Sequence, residues 1–250
     1  MKKLTKVDVV LVFPESVHFY GNINIFIYRN FLRFLYRMCC FTINIKCDEC
    51  HFSNECRYYK CTGENFKKYP GILIKNDFFP KTLYQKNDPV LFTFYIIGSN
   101  DDYIEYLRIF FNSYLNQKLA NNFFYLRSLT VEEVIEQKFL TDEVRCVSIT
   151  DTTDFISEYN NTVVYYNKQY DCDFSILDNV ELKIKNIKKT KVDKIFLPTK
   201  RIYPQGYLYT VLFPDKVKIS SIINSIGVGK YNFIGGGHLE NKNIIREKNF

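Results

Sequence analysis

Four cysteines spaced Cys47-x2-Cys50-x5-Cys56-x4-Cys61 form the sharpest chemical pattern in the chain. A two-residue gap lets two thiolates reach one ion from a tight turn, and two further sulfurs close a tetrahedral site. Cys39 and Cys40 stand just upstream, so Cys40 (or Cys39) is an alternative to Cys61 as fourth ligand. His51 competes less well, being adjacent to Cys50. Six of the eight cysteines fall within positions 39–61. Without an export signal, that clustering reads as metal binding rather than a disulfide framework. A structural Zn2+ is the expected ion. An iron–sulfur cluster uses the same four thiolates, and buried unliganded thiols are the plain alternative. A four-sulfur site is closed, so it would staple a loop and activate no water.

The second pattern is Gly227-Val-Gly229-Lys230-Tyr231-Asn-Phe-Ile-Gly235-Gly236-Gly237-His238, which holds five of the ten glycines. Glycines let a backbone approach a phosphate and present N–H groups to it. Lys230 adds charge, and Tyr231 offers a ring on which a base can stack. A tight hairpin at a sheet edge would have the same composition. The chain has only three histidines. His18, beside Tyr20, and His238 are the candidates for acid–base work near neutral pH. Basic side chains recur in two places. Arg29, Arg33 and Arg37 fall four apart, hence in one row on a helix. Lys183, Lys185, Lys188, Lys189 and Lys191 alternate in part with Leu182 and Ile184, as on a strand with one charged face. Each set suits phosphates, and each would also serve as an ordinary solvated surface.

The elements that must position these groups are legible in outline. Hydrophobic residues make up 46% and charged residues 24%, with 23 Phe and 20 Tyr, so the chain folds around an aromatic core rather than staying disordered. A net charge of +7 favours anionic partners. The start (Lys2, Lys3, Lys6, then a short apolar run ending at Pro14) is no signal peptide, and no stretch reaches the roughly 20 apolar residues of a membrane span. A soluble, cytoplasmic protein with no membrane partner is expected. Alternation predicts a strand over 4–13, and a helical stripe of Phe31, Leu35 and Met38 predicts a helix over 24–38, capped by Asn24. Strands follow near 70–76 and 90–97. A helix over 101–119 has Asp101, Asp102 and Glu105 in its first turns and turns Leu107, Phe110, Phe111, Tyr114 and Leu115 inward. A strand at 122–130 completes a βαββαβ order. The second half predicts strands at 144–150, 162–166, 179–186 and 207–213. A helix then runs from Asp215 through Ile226 and stops at Gly227, before a last strand. The fold class is therefore α+β: two tandem ferredoxin-like (RRM-like) domains, 1–135 and 136–250, with the cysteine insert 39–61 in the first and the glycine-rich loop 227–237 in the second.

These motifs, taken in order, resemble the CRISPR-associated repeat-RNA processing endoribonucleases of the RAMP superfamily, in the branch with a four-cysteine insert. The glycine-rich segment is similar to the loop that follows the last helix of a RAMP domain. The basic helix ending in Cys39-Cys40, the cysteine module followed by Tyr58-Tyr59, and the stretch Asp88–Gly98 with the helix after it resemble the rest, so the likeness spans most of the chain. Relatives often carry His where Gly227 stands, and Arg-Gly near Ile25-Phe26-Ile27. The resemblance implies a prokaryotic protein that binds CRISPR repeat RNA and cuts it without metal. The RNA 2′-hydroxyl attacks the adjacent phosphate and leaves a 2′,3′-cyclic phosphate and a 5′-hydroxyl. Such chemistry needs a base, an acid and positive charge. His18, with Tyr20, is the first candidate for proton transfer, and Lys230 for charge. Arg29, Arg33, Arg37, Lys183, Lys185, Gly227, Gly229, Lys230, Tyr231, Gly235, Gly236, Gly237 and His238 are the candidates for RNA binding. The alternatives are a non-catalytic RAMP subunit that holds guide RNA among other effector subunits, and a zinc-binding adaptor for proteins.

Overall fold

The computed structural model describes residues 4–42, 45–66, 68–76, 81–98, 101–151, 153–178, 180–191, 195–197 and 201–241. Lys2 and Lys3 of the basic start, and Asn179 at the edge of one expected strand, lie outside them.

Strand β1, Leu4–Val12, buries Leu4, Val7, Val9 and Leu11, the alternation expected of a strand with one covered face. It lies antiparallel between β3 (Pro89–Ile97) and β4 (Tyr125–Glu133), and β2 (Ile72–Ile74) pairs with the outer edge of β3. The first sheet thus has the order β2-β3-β1-β4. Helix α1, Ile23–Cys39, follows β1; the short α2, Arg57–Cys61, precedes β2; and α3, Asp101–Ile109, follows β3. The helices cover one face through an aromatic cluster: Phe31 of α1 meets Phe94 of β3 at 5.8 Å and Phe110 at 5.4 Å, edge to face. The side chain of Asn22 caps α1 by accepting from the Ile25 amide at 3.1 Å, so the cap stands two residues before the expected Asn24. Met38, expected on the apolar stripe, is exposed. The expected helix 101–119 is regular only to Ile109, then runs as one wide turn over Phe110–Tyr114. Asn116 and Gln117 take positive φ and end it.

The second sheet has the order β6-β7-β5-β8, built from β5 (Lys138–Thr150), β6 (Lys183–Lys191), β7 (Gln205–Ser220) and β8 (Leu239–Asn241), all antiparallel. Helix α4, Phe155–Tyr170, links β5 to β6, and the single turn α5, Ile223–Ile226, precedes the glycine-rich segment. Two expectations fail here. Residues 162–166 belong to α4, not to a strand. The β-branched run Thr162-Val163-Val164 has local strand character, but Phe155, Tyr159, Val163, Tyr166 and Tyr170 form a buried helical stripe, and the Asp154 carboxylate caps the helix start. Asp215 does not begin a helix either. β7 passes through it to Ser220, with an irregularity between Leu212 and Val217 that absorbs the polar residues. Among the described residues no helix is long and apolar enough to cross a membrane.

Candidate functional site

Gly227 ends α5 with φ +67°, and a Cβ there would lie 2.3 Å from the Gly236 carbonyl oxygen. No side chain fits this position, because the chain doubles back against itself. Val228 N–H donates to Gly237 O, and Gly237 N–H donates to Ile149 O of β5, each at 3.0 Å; Gly236 N–H donates to Tyr231 O at 2.8 Å. Gly227 and Gly235 likewise donate to Ile223 and Asn232. The amides of these four glycines are therefore spent on backbone carbonyls of the loop, α5 and β5, and the glycines serve close backbone packing. The group that reaches solvent is Lys230.

The loop is wedged between the two sheets. Phe233, 3% exposed, meets Phe66 at 5.0 Å and Tyr28 of α1 at 6.1 Å. Asn24 of α1 donates to the Asn76 side chain, whose own amide donates to Ile234 O, each at 3.2 Å. On the other flank Asn232 donates to the Tyr166 hydroxyl of α4 at 2.8 Å, and Tyr166 donates to Pro70 O at 3.1 Å. Neither Asn76 nor Asn232 stands out in the sequence, because their partners lie 158 and 66 residues away.

Lys230 is held by Asp151, just beyond β5. Its ammonium lies 3.0 Å from one carboxylate oxygen and its amide donates to the other at 3.0 Å, while the ammonium sits 5.2 Å from the Tyr231 ring centre. Partial burial opposes the charge, but Asp151 outweighs it and holds the pKa above the ordinary lysine value. Tyr231 is buried, so its face is not open to a base. Its hydroxyl donates to the carbonyl of Tyr203, an exposed residue, at 3.5 Å.

His18 sits in a two-residue ladder with Leu83, and its exposed ring meets Tyr20 edge to face at 4.8 Å; Tyr20 is almost wholly exposed. This loop leads directly into the start of α1, which the Asn24–Asn76–Ile234 chain ties to the glycine-rich segment. His238 stands just before β8, half-buried. Burial first, then the nearby Lys75 cation, lowers its pKa to about 4, so its imidazole is neutral at physiological pH.

The basic rows lie elsewhere. At about 100° per residue, Arg33 and Arg37 stand roughly 140° and 180° around α1 from Tyr28, which faces the loop. Both are exposed, and Arg37 donates to the Tyr114 hydroxyl at 2.8 Å. Arg29, half-buried over the Phe26 ring, has its pKa lowered by burial and by Arg33. Arg33 and Arg37 therefore project from the side of α1 away from Tyr28. Strand β6 is an edge strand, and Lys183, Lys185, Lys188, Lys189 and Lys191 all point to solvent while Leu182 and Ile184 are half-covered.

No protein-family model matches this sequence. No curated protein matches it either. Solved structures do. A Cas6 product complex superposes over 96% of this chain and 100% of its own with a TM-score of 0.54 at 11% identity. A Cas6-related protein from Pyrococcus furiosus superposes over 95% and 98% with a TM-score of 0.50, also at 11% identity. The chain has the Cas6 fold.

On this Cas6 scaffold six of the eight cysteines lie between the end of α1 and β2, with Cys146 in β5 and Cys172 just after α4. None of the eight is in a disulfide. Cys39, Cys40, Cys47, Cys50 and Cys56 line one cavity of about 360 Å3. Cys61, at the end of α2, is fully buried and its thiol bonds the Tyr58 carbonyl at 3.3 Å. Burial, then Cys39 and Cys56, push its pKa up. The expected set Cys47, Cys50, Cys56 and Cys61 is thus not gathered around one point. Among the described residues no three His, Cys, Asp or Glu side chains are grouped closely enough to hold an ion as they stand. Spacing gave the cluster but not the direction of each thiol.

Proposed function

We propose that this protein binds CRISPR repeat RNA and cleaves it as a metal-independent endoribonuclease, producing guide RNAs. The carrying observation is the glycine-rich loop with its solvent-facing Lys230, wedged between two sheets in a chain that shares its fold end to end with a Cas6 product complex. The strand orders support reading the halves 1–135 and 136–250 as two ferredoxin-like domains. Numbered within each half, both sheets run 4-1-3-2, with one helix after the first strand and another after the third. In the proposed reaction His18 transfers the proton of the 2′-hydroxyl or of the leaving oxygen, with Tyr20 orienting its ring. Lys230 leaves Asp151 to neutralise charge on the phosphate.

The exposed Lys183, Lys185 and Arg33 supply long-range attraction. The double variant Lys183→Glu/Lys185→Glu is expected to weaken RNA binding and to flatten the dependence of log K on log salt by about one to two units. Affinity titrations from low to high salt check this; an unchanged slope would leave β6 a solvated edge. Salt-insensitive RNA binding by the native chain would favour a protein-binding adaptor.

A second reading, a non-catalytic RAMP subunit within a larger effector, is favoured by Gly227. The position at which relatives carry His admits no Cβ here. Tight RNA binding without cleavage would select it.

A structural zinc (or iron–sulfur cluster) remains part of the proposal, with the ligands drawn from Cys40, Cys47, Cys50 and Cys56, which share the cavity, rather than from Cys61. Elemental analysis is expected to find about one metal per chain, and Cys50→Ser/Cys56→Ser to lose metal and stability together. Metal-free native protein would reduce the cluster to thiols.

A further inference from the structure

Strand β4 is an outer strand of the first sheet, paired on one side with β1. Its other edge meets solvent: Tyr125, Arg127, Thr130, Val131, Glu132 and Glu133 are all exposed. The polar groups on that edge can be named. Val134 N–H donates inward to Leu4 O at 2.8 Å. Antiparallel alternation then points the amides and carbonyls of Thr130 and Glu132 at β1, and those of Leu129, Val131 and Glu133 outward. Side chains add apolar surface. Leu129 and Val131 stand opposite Val9 and Val7, on the face that carries the core, while Tyr125 and Ile135 at the two ends are 62% and 76% exposed. An open edge of this kind templates another strand, and proteins usually guard it with lysine, proline or a bulge. Strand β6, an outer strand of the second sheet, is guarded by five lysines in nine residues. In contrast, β4 has neither lysine nor proline, and its one bulge, at Arg127, leaves residues 128–133 regular.

We propose that this edge pairs antiparallel with the same edge of a second copy of the chain, across a two-fold axis at Thr130, so that two four-stranded sheets become one continuous sheet. Such an isologous contact requires a strand complementary to its own reverse. With the axis at Thr130, Leu129 stands opposite Val131 of the second copy, and the two exchange the N–H and C=O groups that point outward. Ser128 faces Glu132. Arg127 faces Glu133, which gives one ion pair on each side of the axis, and Tyr125 comes beside Ile135. An axis at Leu129 or Val131 also matches the outward groups. It would set Glu133 against Tyr125 or Leu129, however, and leave Arg127 opposite Val131 or Ile135. Charge therefore selects the Thr130 register. It also selects the occupant, since a strand of another protein would need no such internal symmetry. The pairing stands whether or not the chain cuts RNA.

Sedimentation of the native chain over a dilution series is expected to show a species of twice the chain mass that dissociates on dilution. Arg127→Glu places like charges opposite each other twice, and should raise the dimer dissociation constant about tenfold. Glu133→Arg should do the same. Joining both substitutions in one chain restores opposite charges and the native constant. Both side chains are exposed, and a thermal melt of each variant confirms that the fold is kept. For the register, Thr130→Cys puts two thiols at a non-hydrogen-bonded pair, whose Cα atoms lie about 4.5 Å apart, within disulfide reach. Oxidised glutathione is expected to give a reducible covalent dimer from Thr130→Cys. The native chain should give none, nor should Glu132→Cys, whose thiols would stand about 13 Å apart along the strands. A monomer at every concentration overturns the proposal. So does a dimer that the single charge reversals leave intact or that the double reversal fails to restore. Failure of Thr130→Cys to cross-link, or equal cross-linking through Glu132→Cys, overturns the axis at Thr130.

Discussion

Substituting His18 by Ala is expected to slow cleavage of cognate repeat RNA by about 10²–10⁴-fold while RNA affinity stays near the native value. That range is the usual cost of removing one general acid or base. The location of His18 makes the experiment clean. Its ring is exposed and packs edge to face on the exposed Tyr20, so truncation leaves the buried core intact. Lys230→Ala should behave differently and harm both affinity and rate, because a phosphate contact acts in the ground state as well as the transition state. Single-turnover rates and equilibrium binding on the same RNA separate the two patterns. Full activity in His18→Ala would move proton transfer to Tyr20 or to His238. The latter, with a pKa near 4, is neutral at physiological pH and so would serve as a base.

Phe233→Ala should cost about 3–5 kcal/mol of stability, the range for a fully buried ring. Phe233 fills the contact between the glycine-rich loop, Tyr28 of α1 and Phe66, so its loss opens a cavity where the two halves meet. Chemical denaturation is expected to show a large drop in midpoint. Phe123→Ala, at a ring 57% exposed, should change the midpoint little. A loss below about 1 kcal/mol for Phe233 would mean that the loop does not hold the halves together.

The alternation of Val7, Val9 and Leu11 and the stripe of Phe31 and Leu35 made β1 and α1 legible, because a covered face imposes its period on the sequence. Misreadings came where local preference and tertiary context disagree. Thr162-Val163-Val164 looks like a strand alone, yet joins a buried helical stripe that starts at Phe155 and ends at Tyr170. Asp215 looks like a cap, yet sits in an irregular stretch of β7. The cap of α1 fell on Asn22 rather than Asn24, a choice that periodicity does not resolve.

The site was legible as a list and not as an arrangement. Lys230 stood out by charge; its partner Asp151, 79 residues away, did not. The glycines suggested phosphate-binding amides, but four of the five amides are turned inward by contacts with Ile149, Tyr231, Ile223 and Asn232 that no local pattern encodes. The Arg row was evident from its spacing of four. That Tyr28, not Arg33 or Arg37, faces the loop depends on which side of α1 packs on the sheet.

The most direct test of the central claim is the end chemistry of repeat RNA incubated with the pure native protein in EDTA. Cleavage at one position is predicted, leaving a 5′-hydroxyl that polynucleotide kinase labels without prior phosphatase and a 2′,3′-cyclic phosphate on the upstream fragment. A 5′-phosphate with a 3′-hydroxyl, or cleavage that appears only when a divalent ion is restored, would contradict it.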